Sequence, residues 1–177
     1  LVGHLNGGLA NVGVTANFIM SGCSGSALAD AAATGTVLLP EMEKRGFKPA
    51  FSSAVIASAA TVGPIVPPSI SFVLLGAIVN ISVGQLFLGG VIPGVIMFIS
   101  MFGVTWWICR SRKYPVEQRT TKQERFSAFI DGIPALLAPG IIVGAIIFGV
   151  ATPTESAAVA AFYVLFLGIF VYRNLSI

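Results

Sequence analysis

Charge is scarce in this 177-residue chain: 10% of its residues are Asp, Glu, Lys or Arg, against about 25% in ordinary soluble domains. The deficit excludes a water-soluble globular domain and a disordered tail. It also excludes a nucleic-acid-binding module, which needs a dense basic face. The pI near 9.1 is basic, but the ten Lys and Arg leave a net charge of only +3. They fall in a few clusters, the pattern of membrane topology. Histidine occurs once, as His4, and cysteine twice, as Cys23 and Cys109, far apart. That set provides neither a disulfide framework nor a Cys/His zinc site. No basic-then-apolar-then-cleavage pattern opens the chain, so no cleavable signal peptide is expected. The sequence starts at Leu1 and stops just after Tyr172-Arg173-Asn174, and it reads as an internal piece of a longer integral membrane protein.

Apolar residues are what the chain has in plenty, at 55% of the total and a mean hydropathy of +0.91. Crossing a bilayer takes about 20 of them in a row. Residues 86–108 and 133–150 are two plain candidates, and 157–172 is a third. The first eighty residues are apolar but interrupted. Ser21-Gly22-Cys23-Ser24-Gly25-Ser26 breaks one stretch, and Gly63-Pro64 with Pro67-Pro68 breaks the next. The intervening pieces, roughly 12 to 15 residues each, are too short to span at 1.5 Å per residue. The spacing predicts an all-α polytopic membrane protein with a re-entrant helical hairpin over about 10–40 and a discontinuous membrane helix over about 50–79. A whole helix over 86–108 completes a first unit at 1–108. A cytoplasmic loop covers 109–126, and two further membrane helices cover 127–177.

Three basic clusters set the orientation: Lys44, Arg45 and Lys48; then Arg110, Arg112, Lys113, Arg119, Lys122 and Arg125; then Arg173. All belong on the cytoplasmic side. An even number of crossings then separates each pair, and the interval before Lys44 must hold a hairpin that returns to its own side. Trp106, Trp107 and Tyr172 stand beside these basic residues, where interfacial aromatics belong.

Four features could carry chemistry. The Gly/Ser turn at 21–26 offers carbonyl and hydroxyl oxygens suited to a hard monovalent cation, and it is equally well a tight turn with no ligand. Ser26, Asp30 and Thr34 recur every four residues and make one helical stripe. Asp30 is an intramembrane acid and therefore a functional candidate, although a carboxylate in a helix's first turns is also simply favoured by the dipole. The stretch from Thr61 to Ile70 carries three prolines and a glycine within six residues. A simple kink needs one proline; this density predicts a break, with Gly63 as a left-handed cap and Pro67 or Pro68 opening the next helix. Exposed carbonyls before the break suit Na⁺, and free N–H groups after it suit a carboxylate. Finally, Thr152-Pro153-Thr154-Glu155 fits a capping box, an account that needs no ligand role for Glu155. Gly140 and Gly144 read as a helix-packing face. Gly22-Cys23-Ser24-Gly25 also matches the G-x-S-G serine signature of rhomboid intramembrane proteases. The single His4 lies upstream of it, where that chemistry needs a later base.

The ordered set resembles the large membrane subunit of TRAP (tripartite ATP-independent periplasmic) transporters. The match rests on Ser21 to Asp30, on Leu39-Pro40-Glu41-Met42 with Lys44-Arg45-Gly46-Phe47, on Gly63 to Ile70, and on Thr152 to Ala158. Cys23 departs from the small non-thiol residue expected there. The resemblance implies a non-enzymatic, Na⁺-coupled secondary importer of organic acids in the bacterial inner membrane. It implies a periplasmic substrate-binding protein, a small four-helix membrane subunit, two inverted repeats and an elevator motion. This chain would then hold the first repeat and the start of the second. On that reading Ser24, Gly25, Ser26, Thr61 and Gly63 hold Na⁺, the only cofactor-like group expected. Pro67, Pro68 and Ser69 meet the substrate, with Asp30 and Glu155 as further candidates. A binding-protein-independent divalent-anion/Na⁺ symporter is the alternative, ahead of a non-transporting scaffold or a protease.

The topology can be tested in the full-length protein with Cys23 and Cys109 replaced. A cysteine at Asn80 should react with an impermeant thiol reagent from the periplasmic side, and one at Arg112 from the cytoplasmic side. Labelling of position 80 from the cytoplasmic side alone would contradict the orientation.

Overall fold

The structure is a computed structural model that describes residues 7–114 and 122–172, and all regular elements among them are helical. They are α1 (Gly8–Ser24), α2 (Ala27–Lys44), α3 (Pro49–Ala60), α4 (Ile70–Val79), α5 (Val83–Ser111), α6 (Lys122–Ile147) and α7 (Pro153–Phe166). A π-turn, Leu167–Val171, extends α7. His4, Arg119 and Arg173 lie outside the described residues.

α1 and α2 form a helical hairpin whose interruption is shorter than the Ser/Gly run predicts. Only Gly25 and Ser26 leave the helix, because Ser21 to Ser24 continue α1 to its end. Gly25 closes α1 in the left-handed region at φ 59°, and Ser26 caps α2 by accepting from the Ala29 amide. α2 also runs on through Pro40 to Lys44. The proline costs one backbone bond, yet the helix continues along α3.

A break does separate α3 from α4, but its ends differ from expectation. α3 stops at Ala60 with Thr61 in a right-handed conformation, and Gly63 is not left-handed. Short i→i+3 bonds carry the chain from Thr61 to Gly63. α4 opens at Ile70 with Ser69, not a proline, as its N-cap. The Ser69 hydroxyl donates to the Pro64 carbonyl and accepts from the Phe72 amide, so one side chain closes the loop and starts the helix. Pro67 and Pro68, joined by a cis peptide, sit ahead of that cap.

α5 is long enough to cross a bilayer: its 29 residues extend about 44 Å. Among the described residues, the segment Pro153–Val171 is the other helix that is long and apolar enough. The expected span at 133–150 is shorter. α6 is already helical at Lys122, its apolar part is Gly132–Ile147, and a turn with Gly149 at φ 68° ends it. Gly140 and Gly144 face open space rather than a packed helix. The α6–α7 pair is tied instead by the Tyr163 hydroxyl, which donates to the Pro134 carbonyl at 2.8 Å.

The core lies where α1 packs on α3 and α5, around Leu9, Val14, Val55, Ala59 and Cys109. α1 and α5 run antiparallel: the Phe18 and Phe98 rings are 4.5 Å apart, and eleven residues back along α1, Gly7 meets Cys109, eleven residues on along α5. On α5, Gly90 and Gly94 make room for the break. A Cβ at Gly90 would meet the Ile65 carbonyl, and one at Gly94 would meet Val66. The opposite face of α5 shows Ile92 (69%) and Ile99 (62%) to the outside. Water would not tolerate so continuous an apolar face, and a bilayer does.

Gly25 combines a left-handed φ with a tight site, since a Cβ there would lie 2.9 Å from the Ile70 nitrogen and the Pro68 oxygen. Gly46 has φ 82° but open space. Gly46→Ala should cost about 1 kcal/mol, the backbone term alone. Gly25→Ala should cost clearly more, seen as the larger fall in thermal midpoint of the full-length protein. Equal falls would show that the tip is not seated as described.

Candidate functional site: a hairpin tip seated in a helix break

The tip of the α1–α2 hairpin lies against the break between α3 and α4. Gly25 packs on the backbone of Pro68, Ser69 and Ile70, and Gly22 approaches Pro139 of α6 and the Pro67 carbonyl. Gly63 meets the start of α2: a Cβ there would stand 2.8 Å from Asp30 Oδ2 and 3.2 Å from the Ala27 nitrogen. Gly63 is thus required for closeness to a carboxylate, not for a helix cap.

Asp30 is fully buried at the centre of this contact. Its Oδ1 accepts from the Ser24 hydroxyl at 2.6 Å, across the tip. Among the described residues its Oδ2 has no hydrogen-bond partner, and it faces Gly63. A buried carboxylate oxygen without a partner carries a desolvation cost that a donor or a cation would remove. The Ser26 carbonyl accepts the Asp30 amide at 3.0 Å and lies 3.4 Å from the Ser24 hydroxyl.

Two polar stripes meet behind the tip. On α2 the stripe is Asp30 and Thr34, with Ser26 outside the helix as its cap. On α1 it is Asn17, Ser21 and Ser24, at i, i+4 and i+7. The Thr34 hydroxyl sits 2.7 Å from the Asp30 carbonyl and 3.2 Å from Asn17 Oδ1, while Asn17 Nδ2 donates to the Gly13 carbonyl at 2.9 Å. Sequence reasoning missed Asn17, although an amide seven residues before Ser24 in an apolar run was the available signal. It also missed Asn11, buried with both amide atoms unpartnered among the described residues.

The remaining candidates are placed differently. Thr61 is exposed and its hydroxyl turns back to the Ser58 carbonyl at 2.7 Å. Glu155 is exposed in a complete capping box: its carboxylate accepts from the Thr152 amide and hydroxyl, each at 2.8 Å. Pro68 and Ser69, with Cys23 and Ser24, line a cavity of about 420 Å³ whose far wall is Ile142 of α6 and Pro153 of α7. The first turns of α4 and α7 both border it. Ser24 therefore belongs to two environments, as donor to Asp30 and as wall of the cavity.

No group of three or more His, Cys, Asp or Glu able to hold a metal comes together among the described residues. One carboxylate set among hydroxyl and carbonyl oxygens suits a hard ion of single charge better than a divalent or soft metal.

The family model for the tripartite ATP-independent periplasmic transporter, DctM component, matches residues 1–177. The chain belongs to this family. It is 42% identical over 176 residues to the 2,3-diketo-L-gulonate TRAP transporter large permease protein YiaN of Escherichia coli (strain K12), covering 99% of this chain and 41% of that protein. It is 40% identical over 177 residues to the sialic acid TRAP transporter large permease protein SiaM of Vibrio cholerae, covering 100% of this chain and 42% of the other. To the C4-dicarboxylate TRAP transporter large permease protein DctM of Pseudomonas aeruginosa it is 38% identical over 174 residues, 98% of this chain and 41% of that protein. The chain thus spans about two fifths of the length of the curated relatives it matches. The relatives are named as permeases rather than enzymes, and the family is one of integral membrane proteins.

Thr34→Val removes the hydroxyl beside Asn17 Oδ1 and leaves a buried acceptor without a donor. It should destabilise the full-length protein by about 1–3 kcal/mol, while Thr34→Ser should cost much less. Thermal or denaturant unfolding of both variants checks this; a loss in Thr34→Ser as large as in Thr34→Val would show that the hydroxyl is not what position 34 contributes.

Proposed function

We propose that the full-length protein is the membrane subunit of a secondary transporter that imports an organic acid, driven by Na⁺. The observation that carries this reading is the seating of the hairpin tip in the helix break, with Asp30 Oδ2 buried and unpartnered at the contact. A Na⁺ ion there would be held by Asp30 and by oxygens of Ser24, Ser26 and the chain around Gly63. Thr61 would contribute least, because it is exposed and lies outside the buried contact. The substrate carboxylate would enter the cavity beside Ser24 and Ser69, near the first turn of α4, where unpaired N–H groups favour an anion. Pro67 and Pro68 act by holding that turn open, and Glu155 acts as a cap.

The relatives carry the names of different cargos, namely 2,3-diketo-L-gulonate, sialic acid and C4-dicarboxylate, so the proposal stops at the organic-acid class. A periplasmic substrate-binding protein and a small membrane subunit complete the transporter, which resides in the bacterial inner membrane. The hairpin is re-entrant, and it moves as part of an elevator with the broken helix. The family description supports the partners, since it names a tripartite periplasmic system.

Replacing Pro64, Pro67 and Pro68 by Ala removes a helix penalty of about 3 kcal/mol per proline. In a bilayer, the freed backbone groups gain further by pairing within one helix. The triple variant should insert and assemble but import almost nothing. Na⁺-driven uptake in proteoliposomes, with binding protein supplied and protein amounts matched, is the measurement. Uptake near the parent level would show that the break is not the working element.

A further inference from the structure

The end of the bundle where α2 passes into α3 and where α5 stops is basic. Lys48 comes from the first place, Arg112 and Lys113 from the second, and all three are exposed. Lys48 is the N-cap of α3 and Arg112 the C-cap of α5. The Arg112 guanidinium lies 5.8 Å from the Phe51 centroid, and the Phe51 amide donates to the Lys48 carbonyl at 2.9 Å. Phe51 stacks on Tyr114 at 5.1 Å, and Tyr114 stacks on Phe47 at 4.6 Å. The Tyr114 hydroxyl is buried and has no partner among the described residues. The nearby acid Glu41 is engaged by Arg45 at 2.8 Å.

From Phe51 an apolar groove of about 330 Å³ runs inward between α1, α3 and α5. Its walls include Val14, Ala54, Val55, Val104 and Ile108, and no charged residue lines it. Along α3 it extends from Phe51 to Ala59, about 12 Å at the helical rise. An apolar channel of that length, with cations capping the adjoining ends of α3 and α5, matches a molecule with a hydrocarbon tail and an anionic head. Basic residues at a membrane interface attract anionic lipid.

We infer that this groove seats one anionic phospholipid, with an acyl chain between α3 and α5 and the phosphate held by Lys48 and Arg112. The lipid would brace α3 against α5 at the end remote from the hairpin tip.

The test uses the full-length protein, with its small subunit, delipidated in detergent and examined by native mass spectrometry. Phosphatidylglycerol, phosphatidylethanolamine and phosphatidylcholine are added at matched concentrations. Phosphatidylglycerol should be retained preferentially. Lys48→Gln and Arg112→Gln should each lower its retention about fivefold, whereas Arg110→Gln, whose guanidinium lies over Trp106 instead, should leave it unchanged. Ala54→Phe should block the groove and remove the adduct; if that variant fails to fold, the charge variants still decide. Equal retention of the three lipids, or parent-level retention in Lys48→Gln and Arg112→Gln, would overturn the inference. Displacement of the adduct by millimolar inorganic phosphate would also overturn it, since a seat for free phosphate needs no groove.

Discussion

One contact organises this molecule: a buried carboxylate, Asp30, clamped between a serine of the preceding helix and a glycine of the following one. An acid inside apolar surroundings is tolerated only when its oxygens are answered. Ser24 answers Oδ1 across the hairpin turn. Among the described residues Oδ2 has no such answer and faces Gly63. The rest follows from making room for that arrangement. Gly25 turns the chain so that Ser24 and Asp30 face each other. The prolines keep the chain after Gly63 out of a helix, and Ser69 starts the helix again. Gly90 and Gly94 let α5 close over the outside of the break.

The contact also joins two compartments. Ser24 donates to Asp30 on one side and lines the cavity on the other. Gly25 touches the backbone from Pro68 to Ile70, at the cavity's edge. A cation drawn to Oδ2 would therefore pull tip and break together and fix the wall against which a carboxylate lies. That is a short physical route for coupling an ion to a cargo, and it needs no relay through distant residues.

Much of this was readable in the residues. Low charge and interrupted apolar runs give an all-helical membrane chain, and the Gly/Ser turn and the proline cluster mark the two discontinuities. Thr152, Pro153 and Glu155 spell a capping box that the structure contains in full. Local chemistry was misleading where tertiary packing decides. Gly63 looked like a cap because glycine caps helices, but its lack of a Cβ serves Asp30. Pro68 looked like a first helical residue, but Ser69 offers both a donor and an acceptor and so takes the cap. Asn17 was invisible as a partner because its match, Thr34, lies on the other arm of the hairpin.

A monovalent cation is proposed to bind at the open oxygen of Asp30, facing Gly63. Thermal unfolding of the full-length protein in matched NaCl and KCl tests it directly, because a ligand that binds the folded state raises stability with its concentration. The parent should be stabilised by Na⁺ over K⁺. Gly63→Ala adds one methyl group beside Oδ2 and should abolish that difference while leaving unfolding in KCl cooperative. A variant that responds to Na⁺ as the parent does would contradict the account.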